Sequence, residues 1–158
     1  MTKQSAGLLL YRFKGDSLEV FLVHPDGPFF KNKDKGSWSI PKGEFLNDED
    51  ALAAARREFR EETGFVVDGE FVALQSVKLK SGKTVLAWAL QGDVDETQLV
   101  SNTFEMEWPP KSGKMQAFPE VDRGGWFTVD DAAVKLNPAQ IPLVMELQAL
   151  LLQRAKRS

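Results

Sequence analysis

The chain has 158 residues, 42% of them hydrophobic and 27% charged, with a formal net charge of -3 and no cysteine. That is the length of one ordinary domain with a single core, and its acidic balance argues against a surface for long nucleic acid, which clustered Lys and Arg would hold. Without cysteine there are no disulfides, thiolate metal sites or cysteine nucleophiles, so oxygen is the natural metal donor and a hard cation such as Mg²⁺ or Mn²⁺ the natural metal.

The N-terminus runs from Met1 into the apolar stretch Ala6 to Leu10, which Tyr11 and Arg12 interrupt before it could act as a signal peptide. No apolar run reaches the roughly 20 residues of a membrane span, so the expected location is cytoplasmic. Two β-like runs follow, Gly7 to Phe13 and Leu18 to His24, and Lys14-Gly15-Asp16-Ser17 between them carries hairpin turn residues. Residues Pro25 to Lys42, rich in Pro, Gly, Lys and Asp, read as a long loop with a short extended piece at Ser37 to Ile40.

A helix is predicted from about Asp48 to Thr63, capped by Asn47 or Asp48 and ended by Gly64, with Leu52, Ala55 and Phe59 on its core-facing stripe. Glu70 to Leu79 and Lys83 to Leu90 flank Ser81-Gly82 as a second hairpin, Gly125 to Val129 forms a further strand, and Pro138 to Arg154 is helical by the spacing of Ile141, Val144, Leu147 and Leu151. The basic end, Arg154 to Ser158, reads as a solvated terminus. There is no repeat or linker. This order predicts an α+β domain over residues 1–158, a mixed sheet sandwiched between helices on both faces (α/β/α).

Glu58, Glu61 and Glu62 stand at i, i+3 and i+4 of the central helix, on one face. Stacked carboxylates repel one another, and divalent cations would relieve that repulsion. Taken alone, these residues fit equally well an acidic solvated face balanced by Arg56, Arg57 and Arg60.

The wider spacing is Gly43, five residues, Glu49, seven residues, Arg57-Glu58, an apolar residue, any residue, Glu61-Glu62, any residue, Gly64 and an apolar residue. This resembles the complete box of the Nudix (MutT-like) hydrolases, with Phe59 and Phe65 where Ile, Leu or Val is usual. The resemblance implies the Nudix fold and a Mg²⁺-dependent hydrolase, with Mn²⁺ as substitute, in which water cuts a pyrophosphate bond of a nucleoside diphosphate derivative such as a nucleoside triphosphate or dinucleoside polyphosphate. By position, it makes Glu58, Glu61 and Glu62 metal ligands, Arg57 the arginine that orients them, and Glu49 a brace. Gly43 and Gly64 would let the chain bend before and after the helix, and the backbone carbonyl of Lys42 would be a further ligand. In many relatives a glutamate six residues before a late-strand tryptophan supplies a ligand or the general base. Glu120 has that spacing from Trp126, with Asp122 and Glu105 as weaker substitutes, and either Glu120 or Glu61 would accept the proton from water.

Substrate contacts are expected from other loops. Trp38-Ser39-Ile40-Pro41-Lys42-Gly43 resembles the Pro-Lys-Gly approach of diadenosine polyphosphate and inositol pyrophosphate hydrolases, so Lys42 could touch a phosphate chain, as could Lys33 with its neighbours Lys31 and Lys35. Phe29, Phe30 and Trp38 are candidates for a base-stacking platform, and His24, the sole histidine, for a phosphate contact. Ser101 to Gln116 reads as an insertion walling the substrate pocket. The His-Pro, Pro-Lys-Gly-Glu and Glu-Trp-Pro-Pro segments are similar to those of bacterial predicted NTP pyrophosphohydrolases of the family.

The alternatives weighed are removal of pyrophosphate from RNA 5' ends, a non-catalytic nucleotide-binding module, and a diphosphate isomerase. The module reading conflicts with an intact box and the isomerase with the absence of cysteine. Many family members dimerise, so the resemblance admits a homodimer; the expected partner is a small nucleotide, with no membrane and no long nucleic acid.

Overall fold

The computed structural model describes residues 3–46 and 48–157. Its spine is β1 (Gln4–Lys14), in which Ser5 to Tyr11 are buried without interruption. Such a run marks a strand covered on both faces, and here successive residues separate cleanly. Ala6, Leu8 and Leu10 join Phe21, Ala54, Ala55 and Phe59 on one face, while Leu9 and Tyr11 join Leu143, Val144 and Leu147 on the other.

The first hairpin forms as expected: β1 pairs antiparallel with β2 (Ser17–Pro25) up to Lys14↔Ser17, leaving Gly15 and Asp16 as a two-residue turn with Gly15 at φ 63°. Toward its start β1 parts from β2, and the stretch from Trp38 to β3 (Lys42–Glu44) enters between them. Val23 exchanges backbone hydrogen bonds with Ser39, Leu8 N–H donates to Pro41 O at 3.2 Å, and β3 pairs with Ser5 to Gly7. Gly7 permits this: a Cβ there would lie 2.6 Å from the Pro41 carbonyl oxygen.

Helix α1 (Ala51–Thr63) starts later than expected. Its N-cap is Asp50, whose carboxylate accepts from Ala53 N–H at 3.0 Å; Asp48 lies in the preceding turn and Asn47 falls outside the described residues. The second hairpin is present but broken into β4 (Val72–Ala73) and β5 (Val77–Lys78), both antiparallel to β6 (Thr84–Gln91). Strand β6 in turn runs parallel to β1 from Gln4↔Thr84 to Tyr11↔Gln91.

The 101–116 segment contains β7 (Thr103–Glu107), which pairs with β8 (Met115–Pro119) as a two-stranded sheet separate from the main one. Its alternation follows the sequence, with Phe104 and Met106 half-buried and Thr103, Glu105 and Glu107 exposed. The late strand β9 (Val121–Thr128) begins four residues before the expected Gly125 and pairs with β2.

Thr128 then caps α2 (Val129–Lys135), absent from the sequence reading, with its hydroxyl accepting from Asp131 N–H at 3.2 Å. A 3-10 turn at Pro138–Gln140 leads into α3 (Ile141–Arg157), which extends past the expected end; Ser158 lies outside the described residues. The main sheet, ordered β4-β6-β1-β2-β9, has α1 on one face and α2 and α3 on the other. The α/β/α sandwich is as expected. Among the described residues no helix is long and apolar enough to cross a membrane.

Candidate metal centre

Burial of Ala54, Ala55 and Phe59 against the sheet sets the rotation of α1 and turns its glutamates toward β3 and the start of β9. The helix stops at Gly64, in the left-handed conformation at φ 80°, with its N–H on the Arg60 carbonyl at 2.7 Å. Gly43 has a different reason from the bend expected of it. Its backbone is not left-handed; a Cβ there would sit 2.0 Å from Glu58 Oε2, so the glycine makes room for that carboxylate.

Arg57 holds three glutamates at once. Its Nε and one terminal nitrogen donate to the two oxygens of Glu49 at 2.9 and 3.0 Å, and its other terminal nitrogen donates to Glu58 at 2.7 Å and Glu61 at 3.2 Å. A planar guanidinium can bind a carboxylate in this paired way and still reach others, which an ammonium cannot. The bond to Arg57 keeps the Glu49 carboxyl below its ordinary range, and these carboxylates raise the Arg57 pKa.

Glu120 is brought to the same place through its backbone. Asn102 N–H donates to Glu61 O at 2.8 Å, Glu120 N–H donates to Asn102 O at 2.8 Å, and Asp26 N–H donates to Glu120 O at 3.2 Å. The result is a group of three, Glu58, Glu62 and Glu120, each offering a carboxylate oxygen, with these atoms all within 4.8 Å of one another. Glu61 is outside that group, its carboxylate turned to Arg57.

The electrostatics fit a site for a cation. Burial, then Glu120, pushes the Glu62 carboxyl up to about 8. Burial also raises Glu58, against the pull of Arg57, and raises Glu120 together with Glu58 and Glu61. Three clustered oxygen donors that resist sharing negative charge are a donor set for a hard divalent ion. Lys42 is half-buried beside them, its pKa lowered by burial against the attraction of Glu62, and its backbone N–H donates to Glu62 Oε1 at 3.3 Å.

Two expected substrate contacts need correction. Trp38 is 5% exposed, packs edge-on against Phe127 at 4.9 Å, and donates its indole N–H to Asp34 at 2.8 Å. It is a core residue, not a stacking platform. His24 is fully buried, with Nδ1 3.0 Å from Asp122 and Nε2 2.5 Å from the Lys33 carbonyl, so neither ring nitrogen is open to a phosphate. Lys33 and Lys31 are exposed, with the Lys33 ammonium 5.9 Å from the Phe30 ring centre. Phe29 is 58% exposed and meets Trp108 of the insertion edge-on at 5.6 Å. Asp122 and Glu105 lie outside the glutamate cluster: Asp122 faces His24, and Glu105 is on the exposed face of β7.

Sequence reasoning missed Asn102 and Asp26 as braces of Glu120, and nothing in their residue types marks them, because they act through backbone groups. It also missed the contact of Gly43 with Glu58, which joins residues on different elements.

The profile of the NUDIX domain matches residues 1–147. The chain belongs to the Nudix family. Among solved structures, this Nudix chain is similar to a C. elegans Ap4A hydrolase in a binary complex, at 21% identity and TM-score 0.65 over 96% of this chain and 99% of that one. It is similar also to a mutT/nudix family protein from Listeria innocua, at 16% identity and TM-score 0.66 over 99% and 98% of the two chains. A third is the NUDIX domain of Shewanella oneidensis NrtR complexed with ADP ribose, at 16% identity and TM-score 0.64 over 96% and 89%. At these identities the likeness concerns the fold. Among curated proteins, none matches the sequence. Nudix membership supports assignment as a pyrophosphohydrolase.

Proposed function

We propose that this Nudix protein hydrolyses a pyrophosphate bond in a nucleoside diphosphate derivative, with nucleoside triphosphates and dinucleoside polyphosphates as first substrates, using Mg²⁺ or in its place Mn²⁺. The observation that carries the reading is the meeting of Glu58, Glu62 and Glu120 beside Arg57, which holds Glu58 and Glu61. A non-catalytic binding module would not need to keep every glutamate of the box, as this chain does.

In this reading Glu58, Glu62 and Glu120, with the Lys42 carbonyl, hold the metal, and Arg57 with Glu49 keeps Glu58 and Glu61 in place. The bound ion supplies charge neutralisation on the pyrophosphate oxygens and lowers the pKa of the attacking water. Glu120 or Glu61 accepts the proton as the water oxygen bonds to phosphorus and the bridging P–O bond breaks, giving two phosphate-bearing fragments. Lys42 and Lys33 bind the phosphate chain. The half-buried ammonium of Lys42, next to Glu62, supports its part. The protein works on a small soluble nucleotide in the cytoplasm, as a single domain that can form a homodimer.

The test is product release from a panel of nucleoside triphosphates, dinucleoside polyphosphates, ADP-ribose and 5'-triphosphorylated RNA, with Mg²⁺ and with chelator. Wild type cleaves at least one small nucleotide only with metal, and Glu62→Gln loses that activity. Cleavage that persists in chelator, or no cleavage of any compound, overturns the reading. Turnover of the RNA alone would replace the small substrate with an RNA 5' end.

A further inference from the structure

The register of β2 against β9 runs evenly from Glu19↔Thr128 to His24↔Arg123 and then steps to Pro25↔Val121, so Asp122 is an extra residue in β9. A bulge of this kind leaves one residue out of the ladder and changes the face taken by the side chains beyond it. The packing records the change. Trp126 packs on the α1 side of the sheet and Phe127 on the α3 side, so strict alternation would put Val121 on the α3 side. Val121 is instead buried on the α1 side with Phe21 and Phe59, while Asp122 and Arg123 both face His24 and Trp38. Glu120, the next residue back, lies in a bend before β9, and its place is held by the backbone bonds to Asn102 and Asp26.

His24 stands at that step. It is the sole histidine and wholly buried, and its two nitrogens meet two acceptors on different segments, the Asp122 carboxylate at the bulge and the Lys33 carbonyl in the lysine-rich loop. That loop is also fastened to Glu120 by the bond from Asp26 N–H.

We propose that His24 is a positioning residue for the metal centre: it anchors Asp122, the bulged residue two places after Glu120, to the loop of Asp26 and Lys33, and so braces from both sides the bend that carries Glu120 to Glu58 and Glu62. The inference rests on the reading of Glu120 as a metal ligand. Partners that orient ligands are typically worth 10- to 100-fold in metal affinity.

The experiment measures Mn²⁺ affinity by titration calorimetry, with folding checked by circular dichroism, for wild type, Glu120→Gln, Asp122→Ala, and His24→Ala, His24→Asn and His24→Gln. Asparagine places its amide nitrogen near the position of Nδ1, and glutamine near that of Nε2. His24→Ala and Asp122→Ala are expected to weaken Mn²⁺ by roughly tenfold. His24→Asn recovers most of the loss and His24→Gln does not. Should His24→Ala fail to fold, the half-exposed Asp122 carries the test. Wild-type affinity in Asp122→Ala, or equal recovery by Asn and Gln, overturns the proposal. If Glu120→Gln also binds Mn²⁺ like wild type, Glu120 is not a ligand and the site reading falls with it; if only Glu120→Gln weakens binding, the positioning role alone falls.

Discussion

The carboxylate of Glu58 occupies the space that a side chain on residue 43 would need, 2.0 Å from where a Cβ on Gly43 would stand. The atoms in conflict are the end of a flexible side chain, so in Gly43→Ala the carboxylate yields rather than the backbone. The substitution is expected to lower Mn²⁺ affinity by about 10- to 100-fold, the range for disturbed ligand orientation, with little change in melting temperature. Calorimetry and a thermal melt on the same sample check both halves; unchanged affinity would show that Glu58 holds its place by other means.

Gly64 belongs to the same sequence pattern for another reason, its left-handed φ of 80° at the end of α1. Gly64→Ala puts a side chain in a conformation that costs about 1–2 kcal/mol, 3.0 Å from the Val100 carbonyl oxygen. The unfolding free energy from a denaturant titration should fall by that amount while metal affinity holds. A variant as stable as wild type contradicts the account.

Arg57 and Glu49 should act as a unit, since the guanidinium grips both oxygens of Glu49 while holding Glu58 and Glu61. Arg57→Lys keeps the charge but loses the paired geometry, and is expected to reduce kcat/KM by roughly tenfold or more. Once it is lost, Glu49→Gln adds little further, so a double-mutant cycle shows strong coupling. Additive losses would separate the two roles.

Glu62, pushed up to about 8 chiefly by burial, makes a signed prediction about pH. Its folded pKa lies above the unfolded value, so without metal its neutral form stabilises the fold fully below about 4.5, and this is lost as pH rises through about 8. Glu58 and Glu120 are shifted the same way. Metal requires the ionised form, so Mn²⁺ affinity should rise with pH over that window and the melting-temperature gain from Mn²⁺ should be larger at pH 8.5 than at pH 6. A gain independent of pH in wild type, or one with the same slope in Glu62→Gln, counts against this.

The sequence by itself was enough for α1 and its core stripe, the first hairpin, the tail helix and the sandwich, because each follows from local periodicity and turn chemistry. It also supplied the family, through the spacing of Gly43, Glu49, Arg57 to Glu62 and Gly64. The exposed and buried faces of β7 were present as alternation, but in a segment whose surroundings were unknown. Helix α2 is only seven residues long, too short for periodicity to announce it.

What only the tertiary structure decided are contacts between residues far apart in the chain. The roles of Trp38 and His24 were reversed because burial depends on what packs over a residue: His24 lies against Trp38 and the Lys33 carbonyl, and Trp38 against Phe127 and Arg123. The parallel pairing of β1 with β6, the bulge at Asp122 and the backbone bonds of Asn102 and Asp26 all turn on which segments meet. The spacing of Glu120 from Trp126 made it a candidate, and the fold put its carboxylate beside Glu58 and Glu62. Local sequence determines which groups a helix face presents; the three-dimensional path of the chain determines what stands opposite them.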